Sequence, residues 1–158
     1  MGKPKRKQNG SKEIEMKKPN KILTYRILSD LKVTIQYIGG KITNSDIIEF
    51  AEQMRKNPDF NPGYDVIIDI RDADVALDEE FLKKYTEHIK SLDNFIAQRK
   101  VAFLTAEPEQ YLSAYFSKLY AKHLPLQFNI FSTEESALEF IDCDQLDVKS
   151  YHQIKSEL

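Results

Sequence analysis

The sequence is poor in cysteine, glycine and histidine, with one, five and three of these residues in 158. The single cysteine, Cys143, excludes an intrachain disulfide and fits a reducing compartment. The few glycines form no Gly-rich phosphate cradle. No apolar run approaches the roughly 20 residues of a membrane helix, and the charged N-terminus has no apolar stretch of a secretory signal. These absences predict a soluble, cytoplasmic protein without membrane insertion.

The charge is divided unevenly along the chain. Residues 1–21 carry a net charge of +6, and the remaining residues carry −8. The basic segment has no hydrophobic period, so we predict a flexible tail. Its run PKRK is short and unspecific, and nucleic-acid binding is therefore the least favoured function.

Hydrophobic periodicity predicts the element order ββαβαβαβα. Strands are expected at residues 22–28, 33–38, 66–70, 101–104 and 126–131. The short connection between the first two forces an antiparallel hairpin, whereas each later helix crossover gives a parallel neighbour. The prediction is an α/β fold with a mixed five-stranded sheet and about four helices. We assign residues 22–141 to this domain and residues 142–158 to a C-terminal tail.

Helix starts are marked by capping residues. Thr43 with Asp46 and Ser132 with Glu135 have the spacing of capping boxes. Asp78 is a predicted N-cap, and Pro108 is placed as a first helical residue.

Two strings resemble the SpoIIAA-like family, which shares the STAS fold of anti-sigma-factor antagonists. They are NPDFNPGYDVIIDIRDAD, residues 57–74, and FNIFSTEESALEFI, residues 128–141. The resemblance implies a binding or regulatory domain and not a defined enzyme. It also implies a phosphorylatable Ser at the helix after the third strand, but here Asp78, Glu79 and Glu80 occupy that place. A kinase-controlled switch is therefore not expected.

Carboxylates collect at the predicted carboxyl ends of the strands, where open α/β sheets bind ligands. Arg71 is the only cation expected among them, and it is the predicted partner of Asp69, two residues earlier on the same strand face. The nine carboxylates expected at this edge are Asp72, Asp74, Asp78, Glu79, Glu80, Glu107, Glu109, Glu134 and Glu135. They disfavour a bound nucleotide phosphate, but acids in a first helical turn also simply complement the helix dipole.

Three enzyme hypotheses can be tested on residue chemistry. The string DIRD lacks the second Asp of a haloacid-dehalogenase phosphatase, because Arg71 stands in its place. Asp69, Asp72 and Asp74 could ligate Mg²⁺, although oxygen ligands alone are weakly diagnostic. Cys143 and the histidines are too scattered for a nucleophilic pair or a zinc site. We therefore expect no catalytic residue, cofactor or metal.

The segment 111–120 is rich in tyrosine and covers more than one helical stripe, so some rings are expected at the surface. Such a surface suits a protein partner, including a second copy. The candidate binding surface consists of Asp69, Arg71, Asp72, Asp74, Asp78, Glu79, Tyr111 and Tyr115. The favoured hypothesis is a non-catalytic protein-binding module. The alternative is a binder of a small or lipid-type molecule, or an enzyme, with a partly apolar pocket between the hairpin and the helices.

Overall fold

The computed structural model describes residues 20–75, 77–92 and 96–158. Among them are five strands, five α-helices and one 3₁₀ turn. In chain order they are β1 Ile22–Leu28, β2 Val33–Ile42, α1 Asn44–Arg55, β3 Asp65–Val75, α2 Glu79–Ser91, β4 Arg99–Leu104, α3 Pro108–Tyr120, the 3₁₀ turn Ala121–His123, β5 Leu126–Phe131, α4 Glu134–Ile141 and α5 Val148–Ser156.

The strands form one sheet in the order β1-β2-β3-β4-β5. β1 pairs with β2 antiparallel, and the other neighbours are parallel. This confirms the predicted α/β fold with its leading hairpin. Helices α1, α2 and α3 connect successive parallel strands and cover one face of the sheet, whereas α4 and α5 follow the last strand and cover the other.

The face under α4 and α5 holds an apolar core. Ile35 and Ile67 from the sheet pack there with Leu138 from α4 and Tyr151 from α5, and all four are buried. The predicted C-terminal tail therefore needs correction, because most of residues 142–158 belongs to the folded domain. Asp147 caps α5 by accepting a hydrogen bond from the Ser150 backbone, which gives this helix a defined start.

Most predicted helix starts agree with the structure. Thr43 caps α1 in a full capping box, Asp78 caps α2, and Pro108 begins α3. The start predicted for α4 is wrong by one residue, because Thr133 caps this helix in place of Ser132. The Thr133 hydroxyl accepts from the Ser136 backbone at 3.3 Å, so this helix uses the second of two adjacent capping side chains.

Strand β3 is longer than predicted and contains a bulge. Tyr37 of β2 pairs with Asp69, but the next pair in register is Gly39 with Asp72, so β3 carries one extra residue. Asp72 and Asp74 were expected in a loop, yet they lie within this strand.

The bulge also lies beside Gly39 and Gly40. Strand β2 was expected to end at residue 38 but continues through these glycines to Ile42. Gly40 adopts a φ of 77°, a left-handed conformation that favours glycine. A Cβ on Gly39 would approach the Tyr37 hydroxyl to 3.3 Å, so the small residue leaves room for that group.

The predicted N-terminal tail lies outside the described residues except at its end. There Lys21 forms an ion pair with Asp46 of α1, with the Nζ and Oδ1 atoms 2.8 Å apart. In the part of the chain that the structure describes, no helix is both long and apolar enough to cross a membrane.

Candidate functional site

Asp69 is the only fully buried acidic side chain among the described residues, and its relative exposure is 0%. It lies in β3 beside Ile67 on the α4–α5 face of the sheet. Arg71 donates from Nε to Asp69 Oδ1 at 3.0 Å and from Nη2 to Oδ2 at 2.8 Å. This two-point contact confirms the predicted pairing and has the geometry in which a guanidinium binds a carboxylate best.

Helix α5 supplies two further partners for Asp69. The Tyr151 hydroxyl donates to Asp69 Oδ2 at 2.9 Å, and Lys155 Nζ donates to the same oxygen at 3.0 Å. Tyr151 and Lys155 are four residues apart and therefore lie on one side of the helix. Lys155 corrects the sequence interpretation, in which Arg71 was the only cation at this edge.

An outer layer of groups surrounds these partners. Arg71 Nη2 contacts Glu134 Oε1 at 2.8 Å, and His152 Nε2 lies 3.1 Å from the same oxygen. On the other side, Lys155 lies 4.6 Å from the centre of the Tyr37 ring. The Tyr37 hydroxyl donates to Asp72 at 2.9 Å. Burial and this hydrogen bond raise the pKa of Tyr37 to about 12.

The pKa shifts follow from these contacts. Burial alone raises the pKa of Asp69, but the hydrogen bonds from Arg71 and Lys155 outweigh it and lower the pKa to about 2. The hydrogen bond from Arg71 likewise lowers the pKa of Glu134 to about 2. Burial, reinforced by the Asp69 charge, raises the pKa of Tyr151. Near pH 7, Asp69 and Glu134 are therefore ionised, and Tyr37 and Tyr151 are neutral.

We call Asp69, Arg71, Glu134, Tyr151 and Lys155 the ionic cluster. Each of its charges faces an opposite charge, so the cluster ties α4 and α5 to β3 and presents no free charge to a ligand. Among the described residues, no group of three or more His, Cys, Asp or Glu side chains is arranged to hold a metal ion.

The structure brings together only part of the predicted binding surface. Asp69, Arg71 and Asp72 meet at the ionic cluster. Asp78 and Glu79 begin α2, in the helix layer on the opposite face of the sheet. There Asp78 accepts from the Phe81 backbone at 2.7 Å, and Glu79 accepts from the Tyr120 hydroxyl.

The tyrosines lie on α3, in the same layer as Asp78 and Glu79. Tyr111 and Tyr115 are 53% and 45% exposed, and their rings stack with centroids 6.4 Å apart. Leu112 and Leu119 are also exposed on this helix. We refer to these four side chains as the α3 face. It is separate from the ionic cluster, so the predicted surface is at least two surfaces.

A cavity of about 180 Å³ lies between the sheet and helices α1, α2 and α3. Ile38, Ile70 and Val101 line it from the sheet, and Phe50 and Leu82 line it from the helices. The alternative hypothesis places a pocket between the hairpin and the helices. This cavity is lined by β2, β3, β4 and β5 and by no residue of β1, on the side of the sheet away from the ionic cluster.

A few polar side chains also reach the cavity. They include Arg99 at the start of β4 and Tyr85 of α2. The Arg99 Nε is buried and has no hydrogen-bond partner among the described residues. Burial lowers the pKa of Arg99 and raises the pKa of Tyr85 to about 12, so Tyr85 is neutral.

Sequence reasoning missed Lys155, Tyr151 and Arg99, although each left a signal. The spacing of Tyr151 and Lys155 places them on one helix face, but the apparent tail concealed the helix. Arg99, Val101 and Phe103 alternate along a strand and therefore share a face. That face could not be recognised as the wall of a cavity without the helices that enclose it.

No family model and no curated protein matches the chain. Among solved structures, the chain is similar to an uncharacterized protein of the DUF3478 family with a SpoIIAA-like fold from Shewanella loihica PV-4. The two are 17% identical, with a TM-score of 0.47, and the match covers 77% of this chain and 93% of that chain. That protein has the SpoIIAA-like fold that the strings at residues 57–74 and 128–141 resemble.

Proposed function

We propose that this chain is a non-catalytic binding module that holds a small, mainly apolar molecule between its sheet and helices α1–α3. The supporting observation is the cavity of about 180 Å³. Protein interiors are close-packed and contain few voids larger than a water molecule. An apolar cavity of roughly 150 Å³ in another protein stays dry and binds benzene. The space here therefore suits one ring with a short substituent.

The lining residues favour binding over catalysis. None of the described side chains that line the cavity is His, Asp, Glu, Lys or Cys, the usual general bases and strong nucleophiles. The hydroxyls of Thr86 and Ser117 donate to the backbone carbonyls of Leu82 and Ser113 in their own helices. They are held by those bonds and have no neighbouring base in the cavity to activate them.

The test is an NMR titration of the whole chain with toluene as a neutral probe. We expect saturable shifts confined to methyl groups that line the cavity, such as those of Ala51 and Val101. Ala51→Leu should weaken binding because the larger side chain fills the space. Gln53→Leu adds the same side chain at an exposed site of α1 outside the cavity lining and should leave binding unchanged. Absence of saturable shifts in the unmodified chain would refute the proposal.

A second candidate function is self-association through the α3 face, and it retains the partner-binding hypothesis. Exposed tyrosine and leucine side chains on one helix suit a protein interface. Because the α3 face is apolar, a second copy turned by a two-fold axis presents a matching surface. The carboxylates of the predicted surface are less suited to bind a partner protein, because Asp69 and Asp78 already accept hydrogen bonds within the chain.

Sedimentation equilibrium at increasing protein concentration tests this second candidate. Dimers should form in the unmodified chain and be lost in Leu112→Glu, which places a charge in the α3 face. Glu109→Gln, at an exposed position one turn away, is the matched control and should still dimerise. A chain that stays monomeric at every concentration would exclude a second copy as the partner.

A further inference from the structure

Arg99 gives one end of the cavity a positive charge. It is the first residue of β4, and Val101 and Phe103 follow it on the same strand face and line the same space. The remaining sheet residues around the cavity are apolar except for Gln36, whose amide nitrogen contacts the Met54 sulfur at 3.4 Å. Arg99 is half-buried, and a partly desolvated charge is costly unless it is paired.

Two arginines, Arg55 and Arg99, have a buried Nε with which no described residue pairs. Arg55 does not line the cavity, and its Nη2 binds Glu52 at 2.8 Å. Asp65 acts on Arg99 electrostatically, while its Oδ1 accepts a hydrogen bond from the Lys100 backbone at 2.7 Å. Among the described residues, the Nε–H of Arg99 thus has no acceptor, and the side chain that carries it lines an apolar space.

We propose that the ligand of this cavity is a small apolar carboxylic acid whose carboxylate accepts a hydrogen bond from Arg99. This inference rests on the proposed function and adds the charge of the ligand. The guanidinium of Arg99 is already partly desolvated, so a bound carboxylate gains a charge-assisted hydrogen bond from it at a reduced desolvation cost. One guanidinium compensates one negative charge, and the cavity volume limits the rest of the molecule to about one ring.

The neutral hydroxyl of Tyr85 fits the same assignment. Burial keeps it protonated, and the charge of Arg99 acts on it within the same lining. A phenol can donate to a carboxylate, whereas a bound ammonium would face the guanidinium in a low-dielectric space. The cavity therefore favours an anion over a neutral molecule, and a neutral molecule over a cation.

The experiment compares three probes of similar shape by calorimetric titration of the whole chain at pH 7. They are phenylacetate, phenylacetamide and the cation phenethylammonium. We expect the Kd for phenylacetate to be about tenfold lower than for phenylacetamide, a difference of about 1.4 kcal/mol, and the cation to bind weakest. Equal binding of all three, or tighter binding of the amide, would overturn the inference and leave the proposed function standing. If no probe and no toluene binds, both proposals fail.

Arg99→Met separates a ligand-binding role from a structural one. It should abolish the preference for phenylacetate and, without ligand, raise the free energy of unfolding, because a half-buried, incompletely paired charge is replaced by an apolar chain. A structural Arg99 would give the opposite stability change. Arg99→Lys retains the charge and should keep part of the preference. Arg55→Met is the matched control and should leave the preference unchanged, since Arg55 does not line the cavity.

Discussion

Asp69 occupies a position that an ionised carboxylate tolerates only when several donors surround it. Its partner Arg71 could be predicted from the sequence, because residues two apart on a strand share a face. Tyr151 and Lys155 could not, since they lie 82 and 86 residues further along the chain. Only the packing of α5 on the sheet brings them to Asp69, and no local pattern encodes that contact.

Replacing Asp69 tests the ionic cluster directly. Asp69→Asn keeps the side-chain volume but removes the charge that Arg71 and Lys155 share, so we expect the free energy of unfolding to fall by about 3 kcal/mol. Urea denaturation followed by circular dichroism measures the change. Glu80→Gln removes an exposed ion pair with Lys84 and should cost less than about 0.5 kcal/mol. A similar small loss for Asp69→Asn would contradict the role assigned to the cluster.

The cluster also predicts how stability depends on pH. The pKa of Asp69 in the folded chain, about 2, lies below the value of about 3.9 in an unfolded chain. Its stabilisation, about 2 to 3 kcal/mol, is therefore fully present above roughly pH 5 and lost as the pH falls through 2. Urea denaturation between pH 2 and 6 should show this loss, and Asp69→Asn should show a shallower one. If the free energy of unfolding falls equally steeply with pH in the unmodified chain and in Asp69→Asn, Asp69 is not a buried, ionised group.

At the level of elements, the periodic pattern predicted where helices and strands exist better than where they end. Thr43, Asp78 and Pro108 marked helix starts correctly because a cap is a local hydrogen bond or a fixed φ. The end of β3 was predicted too early, because carboxylates at Asp72 and Asp74 are typical of loops. There the pairing with β2 outweighs local preference and extends the strand to Val75.

Helix α5 should contribute substantially to stability despite its nine residues. Tyr151 is 1% exposed, so Tyr151→Ala should lower the free energy of unfolding by about 3 to 5 kcal/mol. Tyr151→Phe removes only the hydroxyl that binds Asp69 and should cost about 1 to 2 kcal/mol. The exposed neighbour Gln153 provides the control, Gln153→Ala. If urea denaturation shows that Tyr151→Ala lowers the free energy of unfolding no more than Gln153→Ala, α5 does not pack as described.

For the whole molecule, the two faces of the sheet differ in packing. Elements and strand order could be predicted, because sequential connections through helices leave few topologies. The cavity could not be predicted, because its volume depends on small offsets among three helices and the sheet. The same limit applies to the candidate site, since carboxylates expected on one rim are divided between both faces.

A matched pair of substitutions measures this difference in packing. Val101→Ile adds one methylene beside the cavity and should stabilise the chain by up to about 0.8 kcal/mol, while weakening the binding of toluene. Ala102→Val enlarges the neighbouring residue of β4, which is 0% exposed in the core under α4 and α5, and should destabilise the chain by about 1 to 3 kcal/mol. Thermal unfolding of both variants gives the comparison. Equal effects would mean that the two faces are packed alike.

The bulge in β3 has a consequence for comparing chains of this kind. Its extra residue lets Asp69, Arg71 and Asp72 act on one face while Ile70, Ala73 and Val75 pack on the other. In an evenly alternating strand, Ala73 and Val75 would lie on the same face as Asp69 and Arg71. Such a strand could keep the ion pair on one face or place these apolar side chains on the other, but it could not do both. A one-residue gap between Asp69 and Asp72 in an alignment would therefore report the loss of this arrangement, even where every charged amino acid is retained.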